Sequence, residues 1–93
     1  MNQQAPPMRI LHLVLKRHWY NMIECGEKTE EYREIKPYWI RRIGICDAVR
    51  FQYGYTKRTM TFECRTISIG RGRKEWGAPD KDVYVIKLGK RIK

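Results

Sequence analysis

The densest cluster of chemistry-bearing side chains in this 93-residue chain is Gly26-Glu27-Lys28-Thr29-Glu30-Glu31-Tyr32-Arg33. Five of the ten acids, Glu24, Glu27, Glu30, Glu31 and Glu34, fall between residues 24 and 34. On a strand Glu31 and Arg33 share a face, because successive side chains alternate. Lys28 has the opposite parity unless the residues after Gly26 turn it round. Two kinds of chemistry follow. Lys28, Glu31 and Arg33 converge on a cleft as an ion-paired set, or Lys28 and Glu31 act as a general acid/base pair on water or an RNA 2′-hydroxyl. A charged, solvated edge strand that blunts aggregation accounts for the same residues without any site. A surface Lys–Glu pair is also far more often a salt bridge than an acid/base couple.

A second stretch, Gly70-Arg71-Gly72-Arg73-Lys74-Glu75-Trp76-Gly77-Ala78-Pro79, combines glycine, charge and one indole. Gly70 and Gly72 permit backbone conformations whose N–H groups point at an anion. Arg71, Arg73 and Lys74 supply phosphate-pairing charge, and Trp76 supplies a flat face for an unstacked base. The plainer reading is an exposed loop whose Trp folds back over the domain. The stretch has no G-x-x-x-x-G-K-[ST] pattern, so nucleotide hydrolysis is not expected from it. Lys16-Arg17-His18 and Arg41-Arg42 form a third basic set, which suits ordinary helix surface as well as a nucleic-acid backbone. His12 reads as a core or cavity-lining histidine, since no Ser or Cys partner can be assigned to it. Tyr53-Gly54-Tyr55 fits hairpin chemistry as well as base stacking.

Gly26-x-Lys28-x-x-Glu31-x-Arg33, following a strand and a short helix with an aromatic near its start, resembles the signature of the ASCH domain, a family of the PUA-like superfamily of small β-barrels associated with RNA. The resemblance covers residues 9–90. It implies a PUA-like pseudo-barrel and places Gly26, Lys28, Glu31 and Arg33 on the family motif, in a cleft that takes RNA or a nucleotide-like ligand. Some small members are amidohydrolases of N4-acetylcytidine that use a Lys, a Thr three residues later and a distant Glu. Here the third residue after Lys28 is Glu31, and a carboxylate does not replace a hydroxyl as acyl acceptor without different activation. Thr29 has the wrong strand parity, and nothing in the sequence places Glu63 or Glu75 at Lys28. The deacetylase inference stops at its nucleophile.

The elements that must position these residues can be read from period and punctuation. Ile10 to Leu15 is a six-residue apolar run with Leu11, Leu13 and Leu15 on one face, a strand. Lys16 to Cys25 changes to helical period, with Trp19, Met22 and Ile23 as its stripe and Gly26 as its stop. Lys28 to Glu34 is placed as a short strand. Pro37 opens a second short helix through Ile43, with Trp39, Ile40 and Ile43 on one face and Gly44 after it. Asp47 to Tyr53 is a strand that turns at Gly54. The next strand, Thr59 to Ile69, is apolar at Met60, Phe62 and Cys64 and then at Ile67 and Ile69. That change of phase requires a bulge or bend near Arg65-Thr66. Gly70 to Asp82 reads as a loop and Val83 to Leu88 as the closing strand. A flexible arm over residues 1–8 and a basic tail over 91–93 flank the domain. The sum is an α+β fold, a small pseudo-barrel of about five strands with two short helices.

Composition sets the outer limits. Lys and Arg number 20 against 10 acids, a net charge of +10, while 42% of residues are apolar. A core is therefore affordable and general disorder is not expected. Residues 1–46 carry a net +3 and residues 47–93 a net +7. Such charge on a small body favours polyanions. No apolar run approaches the roughly 18–20 residues of a membrane span, and the start of the chain lacks a signal peptide's basic and apolar regions. Cys25, Cys46 and Cys64 have no C-x-x-C pair or ligand-spaced His, so they read as small hydrophobes in a reducing cytoplasm rather than as a zinc site or disulfide scaffold. No metal or cofactor is implied. The expected function is binding of RNA or a nucleotide-like anion through Lys28, Glu31, Arg33, Arg71, Arg73, Lys74 and Trp76. The alternatives are hydrolysis of RNA or a modified nucleoside through Lys28 and Glu31, and sequestration of a small nucleotide or inhibition of a partner protein.

Overall fold

The structure is a computed structural model and describes residues 8–44 and 46–93. The arm expected over residues 1–8 falls, apart from Met8, outside the described residues. In chain order the elements are β1 (Ile10–Leu15), α1 (Arg17–Glu24), β2 (Glu30–Arg33), α2 (Pro37–Arg42), β3 (Ala48–Tyr53), β4 (Thr59–Arg71), a single 3₁₀ turn (Lys74–Trp76) and β5 (Asp82–Arg91). The five strands form one mixed sheet in the order β1-β3-β4-β5-β2. Only β1 and β3 pair parallel; the other three ladders are antiparallel. The sheet curls into a half-barrel, and this is the α+β pseudo-barrel expected from the pattern.

Burial follows the alternation that set the strands. Leu11, Leu13 and Leu15 point inward from β1 and meet Val49 and Phe51 of β3 and Met60 of β4. Each such side chain contributes roughly 1.5–3 kcal/mol when fully buried. From α1, Tyr20 and Ile23 close the core, while Trp19 and Met22 of the expected stripe are only half-buried. Cys25 N–H donates to Asn21 O and Gly26 N–H to Ile23 O. Gly26 takes φ +85°, the left-handed stop that its position predicted.

Several boundaries differ from expectation. β4 runs on through Gly70 to Arg71 and β5 spans Asp82–Arg91, so the loop expected over Gly70–Asp82 narrows to residues 72–81 and contains the 3₁₀ turn. The strand expected over Lys28–Glu34 is shorter, Glu30–Arg33, and leaves Lys28 in the preceding loop. α2 starts with Pro37 in its first turn but buries no residue. Ile40, expected to face the core, is 52% exposed, and it is Ile43 beyond the helix that is buried. A six-residue helix has under two turns and anchors through its flanks. The region 91–93 is not a free tail, because Arg91 pairs with Phe62, Ile92 N–H donates to Thr61 O and Thr61 N–H donates to Lys93 O. The expected irregularity of the fourth strand is present. Its register against β5 shifts between Phe62 and Cys64 and again between Cys64 and Thr66.

No disulfide links the three cysteines. Cys46 and Cys64 pack half-buried against the core, whereas Cys25 is exposed, unlike the small hydrophobe expected there. Burial, reinforced by the neighbouring Cys64, holds the Cys46 thiol well above its usual range and therefore protonated. No helix among the described residues is long and apolar enough to cross a membrane.

Candidate functional site

A half-barrel has two free edges, here β1 and β2, and the cleft lies where they face each other. Carbonyls of a strand point alternately to its two sides. Leu15 O turns toward β3 and accepts from Gly54 N–H, whereas Val14 O turns to the open side and accepts from Arg33 Nη2 at 3.3 Å. The seam is thus bridged by a side chain of β2 instead of a ladder.

Arg33 reaches across because Glu31, two residues back on the same face, holds it. Arg33 Nη2 donates to Glu31 Oε2 at 2.8 Å. The other carboxylate oxygen, Oε1, lies 3.1 Å from Lys28 Nζ. Lys28 joins this face through its loop rather than through strand parity. Its backbone N–H donates to Met22 O, which ties residue 28 to the end of α1 just after the Gly26 turn. Lys28 is 2% exposed and Glu31 6%. Burying an ammonium this deeply requires that its donors be used. Lys28 Nζ donates to Glu31 and to Trp76 O, and it lies 4.7 Å from the Trp19 ring centre and 5.2 Å from that of Tyr32. Among the described residues Arg33 Nε is buried without a partner. Its guanidinium also stacks 5.1 Å above Trp39.

The wall opposite β1 is the connection after β4. Gly72 packs against the Tyr32 ring, where a Cβ would stand 2.5 Å from Tyr32 Cε1. Tyr32 hydroxyl accepts from Arg73 N–H at 3.0 Å and donates to Glu30 Oε1 at 2.8 Å. Burial pushes that hydroxyl from a pKa of 10.0 up to about 12. Gly77, at φ +92°, lies flat on the Trp19 indole, and a Cβ there would stand 2.8 Å from Cζ2. These two close approaches seat the 3₁₀ turn so that Trp76 lines the cleft. The cleft has a volume of about 280 Å³ and is lined by Val14, Lys16, Trp19, Lys28, Glu31 and Arg33 together with Tyr32 and Trp76.

The expected site residues therefore divide. Lys28, Glu31, Arg33 and Trp76 line one concavity. Arg73 lies at its margin, with its guanidinium 4.5 Å from the Trp76 ring centre and 4.0 Å from Glu75. Arg71 and Lys74 line a separate hollow with Pro79 and Asp80. There Arg71 is ion-paired with Asp80, and with Asp82 at 3.7 Å. Of the five clustered acids only Glu31 enters the cleft. Glu24 pairs with Arg58 and Arg91, and Glu34 pairs with Lys36 and Lys81, the hydrogen bond from Lys36 lowering its pKa. His12 is not in the core; it is exposed and lines a surface hollow beside β1, as the cavity-lining reading expected, with its Nε2 at 2.9 Å from Gln52 Oε1. Thr29 is exposed too, and its carbonyl accepts from Leu88 N–H.

Trp19 and Lys16 are cleft residues that sequence reasoning placed elsewhere, on the core stripe and on the helix surface. The signal that marks them is position. Both lie at the start of the helix that directly follows the β1 edge. Chemically, the cleft offers an ion-paired floor of two cations on one carboxylate, net positive by one charge, between two indoles. Among the described residues no cluster of His, Cys, Asp and Glu fits a metal ion. No family model matches this chain, and no curated protein matches it.

Proposed function

We propose that the seam cleft binds RNA or a nucleotide-like ligand, taking one base or nucleoside at a time. The observation that carries this is the ion-paired set of buried Lys28 and Glu31 with half-buried Arg33, between Trp19 and Trp76. Unstacked bases are held by aromatic faces and by hydrogen bonds to their edges. Here the indoles supply the faces, and the lone pairs left on Glu31 beside its two cations and the partly exposed Arg33 guanidinium supply acceptor and donor. At about 280 Å³ the cleft is just below the roughly 300–1,000 Å³ usual for small-molecule sites. It has room for a single nucleoside, and a longer strand must cross its rim. Exposed Lys16, at the rim, has no carboxylate partner among the described residues and is placed to meet a phosphate. The motif shared with ASCH domains, Gly26, Lys28, Glu31 and Arg33, points to the same ligand class.

The geometry favours binding over acid/base catalysis by the same pair. Both Glu31 oxygens already accept from cations, and Lys28 Nζ is committed to Glu31 and Trp76 O. Glu31 in this arrangement positions two cations. Titration of a fluorescent single-stranded RNA at several salt concentrations tests the proposal. Affinity should fall as salt rises, through loss of counterion release, and it should fall at fixed salt in Trp19→Ala. Absence of RNA and nucleotide affinity at low salt, or affinity indifferent to Trp19→Ala, would contradict it. Hydrolysis of RNA or a modified nucleoside by the wild type, abolished in Glu31→Gln with the fold retained, would instead favour an enzyme.

A further inference from the structure

Beside the cleft, on the outer side of β1, lies a second and larger hollow of about 600 Å³. Its lining includes Arg9, His12, Tyr38, Trp39, Arg41 and Arg42. Two features join it to the cleft. His12 and Val14, two residues apart on β1, line the two hollows, a separation of about 7 Å along the strand. Trp39 lines the hollow while its ring carries the Arg33 guanidinium that reaches into the cleft.

Charge distinguishes this groove from the rest of the surface that sequence nominated for phosphates. Residues 71–82 hold four cations and three carboxylates, and Arg71 faces two of those carboxylates and Arg73 the third. α2 and its flanks, residues 36–44, hold Lys36, Arg41 and Arg42 and no acid. Among the described residues neither Arg41, Arg42 nor Arg9 has a carboxylate within 4.0 Å of its guanidinium; Asp47 accepts from the Arg9 backbone N–H. Arg42 instead donates to Tyr38 O and lies 3.6 Å over the Tyr38 ring, whose side chain stays half exposed. α2 has no fully buried residue; Trp39 packs half-buried against the core, while Arg41 and Arg42 stay exposed. Guanidiniums without acid partners, interleaved with exposed aromatic rings, are what a single strand's phosphates and unstacked bases require.

We infer that a single-stranded RNA whose base occupies the cleft continues over Trp39 into this groove, with Arg9, Arg41 and Arg42 meeting its phosphates and Tyr38 a base. The inference rests on the cleft reading proposed above. It is tested by comparing uridine 5′-monophosphate with a short fluorescein-labelled oligouridine, on the wild type and on Arg41→Ala/Arg42→Ala. The oligonucleotide should bind the wild type at least about tenfold more tightly than the mononucleotide. The double variant should lose about that factor, with the slope of log affinity against log salt shallower by roughly 0.7 for each lost phosphate contact. Mononucleotide affinity should be unchanged. Arg9→Ala provides a second variant off the helix, and a melting curve on each confirms that the fold survives.

An oligonucleotide that binds both proteins with equal affinity and slope overturns the groove while leaving the cleft intact. So does a wild type that binds the oligonucleotide no better than the mononucleotide. If neither probe binds the wild type, the cleft reading fails and this one falls with it. If the double variant loses self-association in sedimentation and keeps RNA affinity, the groove is a protein interface and the inference is wrong.

Discussion

The seam cleft and the α2 groove are neighbours, and both set a cation over an aromatic ring, Lys28 over Trp19 and Arg42 over Tyr38, but they treat charge in different ways. In the cleft Lys28 and Arg33 share the two oxygens of one buried carboxylate, so the cations are ion-paired, fixed and part of the packing, with one positive charge left over. In the groove Arg41 and Arg42 have no carboxylate partner among the described residues and stand on a helix with no fully buried residue. A buried charge that loses its partner destabilises the fold, whereas an exposed one contributes little to it. Substitutions in the cleft should therefore cost stability and binding together. Those in the groove should cost binding alone.

The largest effect is expected at the centre of the ion-paired set. Glu31→Ala leaves the buried Lys28 facing the half-buried Arg33 with no carboxylate between them and should destabilise the protein by about 3–5 kcal/mol, read from urea or thermal unfolding. A loss below about 1 kcal/mol, the range of an exposed pair, would show that the set is solvated and that the contrast with the groove is false. Gly77→Ala comes next. The backbone there is left-handed at φ +92°, and the new Cβ would stand 2.8 Å from the Trp19 ring. The conformational penalty alone is roughly 1–2 kcal/mol, and Trp19 must move, so ligand affinity should fall with stability. An unperturbed Trp19 environment in near-UV circular dichroism would contradict that coupling.

A smaller effect separates the two sets of exposed arginines. Arg71→Ala should change RNA affinity less than about twofold, because Asp80 and Asp82 already oppose a phosphate there, while Arg42→Ala should lower it several-fold with no change in melting temperature beyond the few tenths of a kcal/mol usual at the surface. The reverse order would return the phosphate site to the β4–β5 connection. The smallest effect concerns pH. The Tyr32 hydroxyl has its pKa raised by burial to about 12. Its contribution to stability is full below pH 10 and declines as pH rises through 10 toward 12, where the unfolded phenol ionises first. Tyr32→Phe should flatten that alkaline decline relative to wild type. Equal slopes would mean that the Gly72–Tyr32 contact does not hold the cleft wall.

Why some of this was legible in the sequence and some was not follows from where the information lies. Gly26 as a helix stop, the inward leucines of β1 and the phase change around Cys64 are local, and local periodicity reports them. Lys28 reaches Glu31 because a backbone bond to Met22 O fixes a loop residue, which strand parity cannot express. Trp19 lies on the stripe that its spacing predicts, but spacing does not tell a face packed on the core from a face lining a cleft. Arg71 read as a free cation because its partner Asp82 is eleven residues away, brought opposite only by the β4–β5 register. Arg41 and Arg42 read as plain surface because nothing in sequence shows that α2 touches the core only through half-buried Trp39 and lines a hollow with Tyr38, Arg41 and Arg42.

The most direct test of the proposed cleft is a heteronuclear NMR titration of the three indole N–H signals with uridine 5′-monophosphate and a short oligouridine at low salt. The Trp19 and Trp76 signals should shift with both ligands, and the Trp39 signal should respond more strongly to the oligonucleotide. Signals of Trp19 and Trp76 that stay in place while RNA binds elsewhere would contradict a base-binding cleft at the seam.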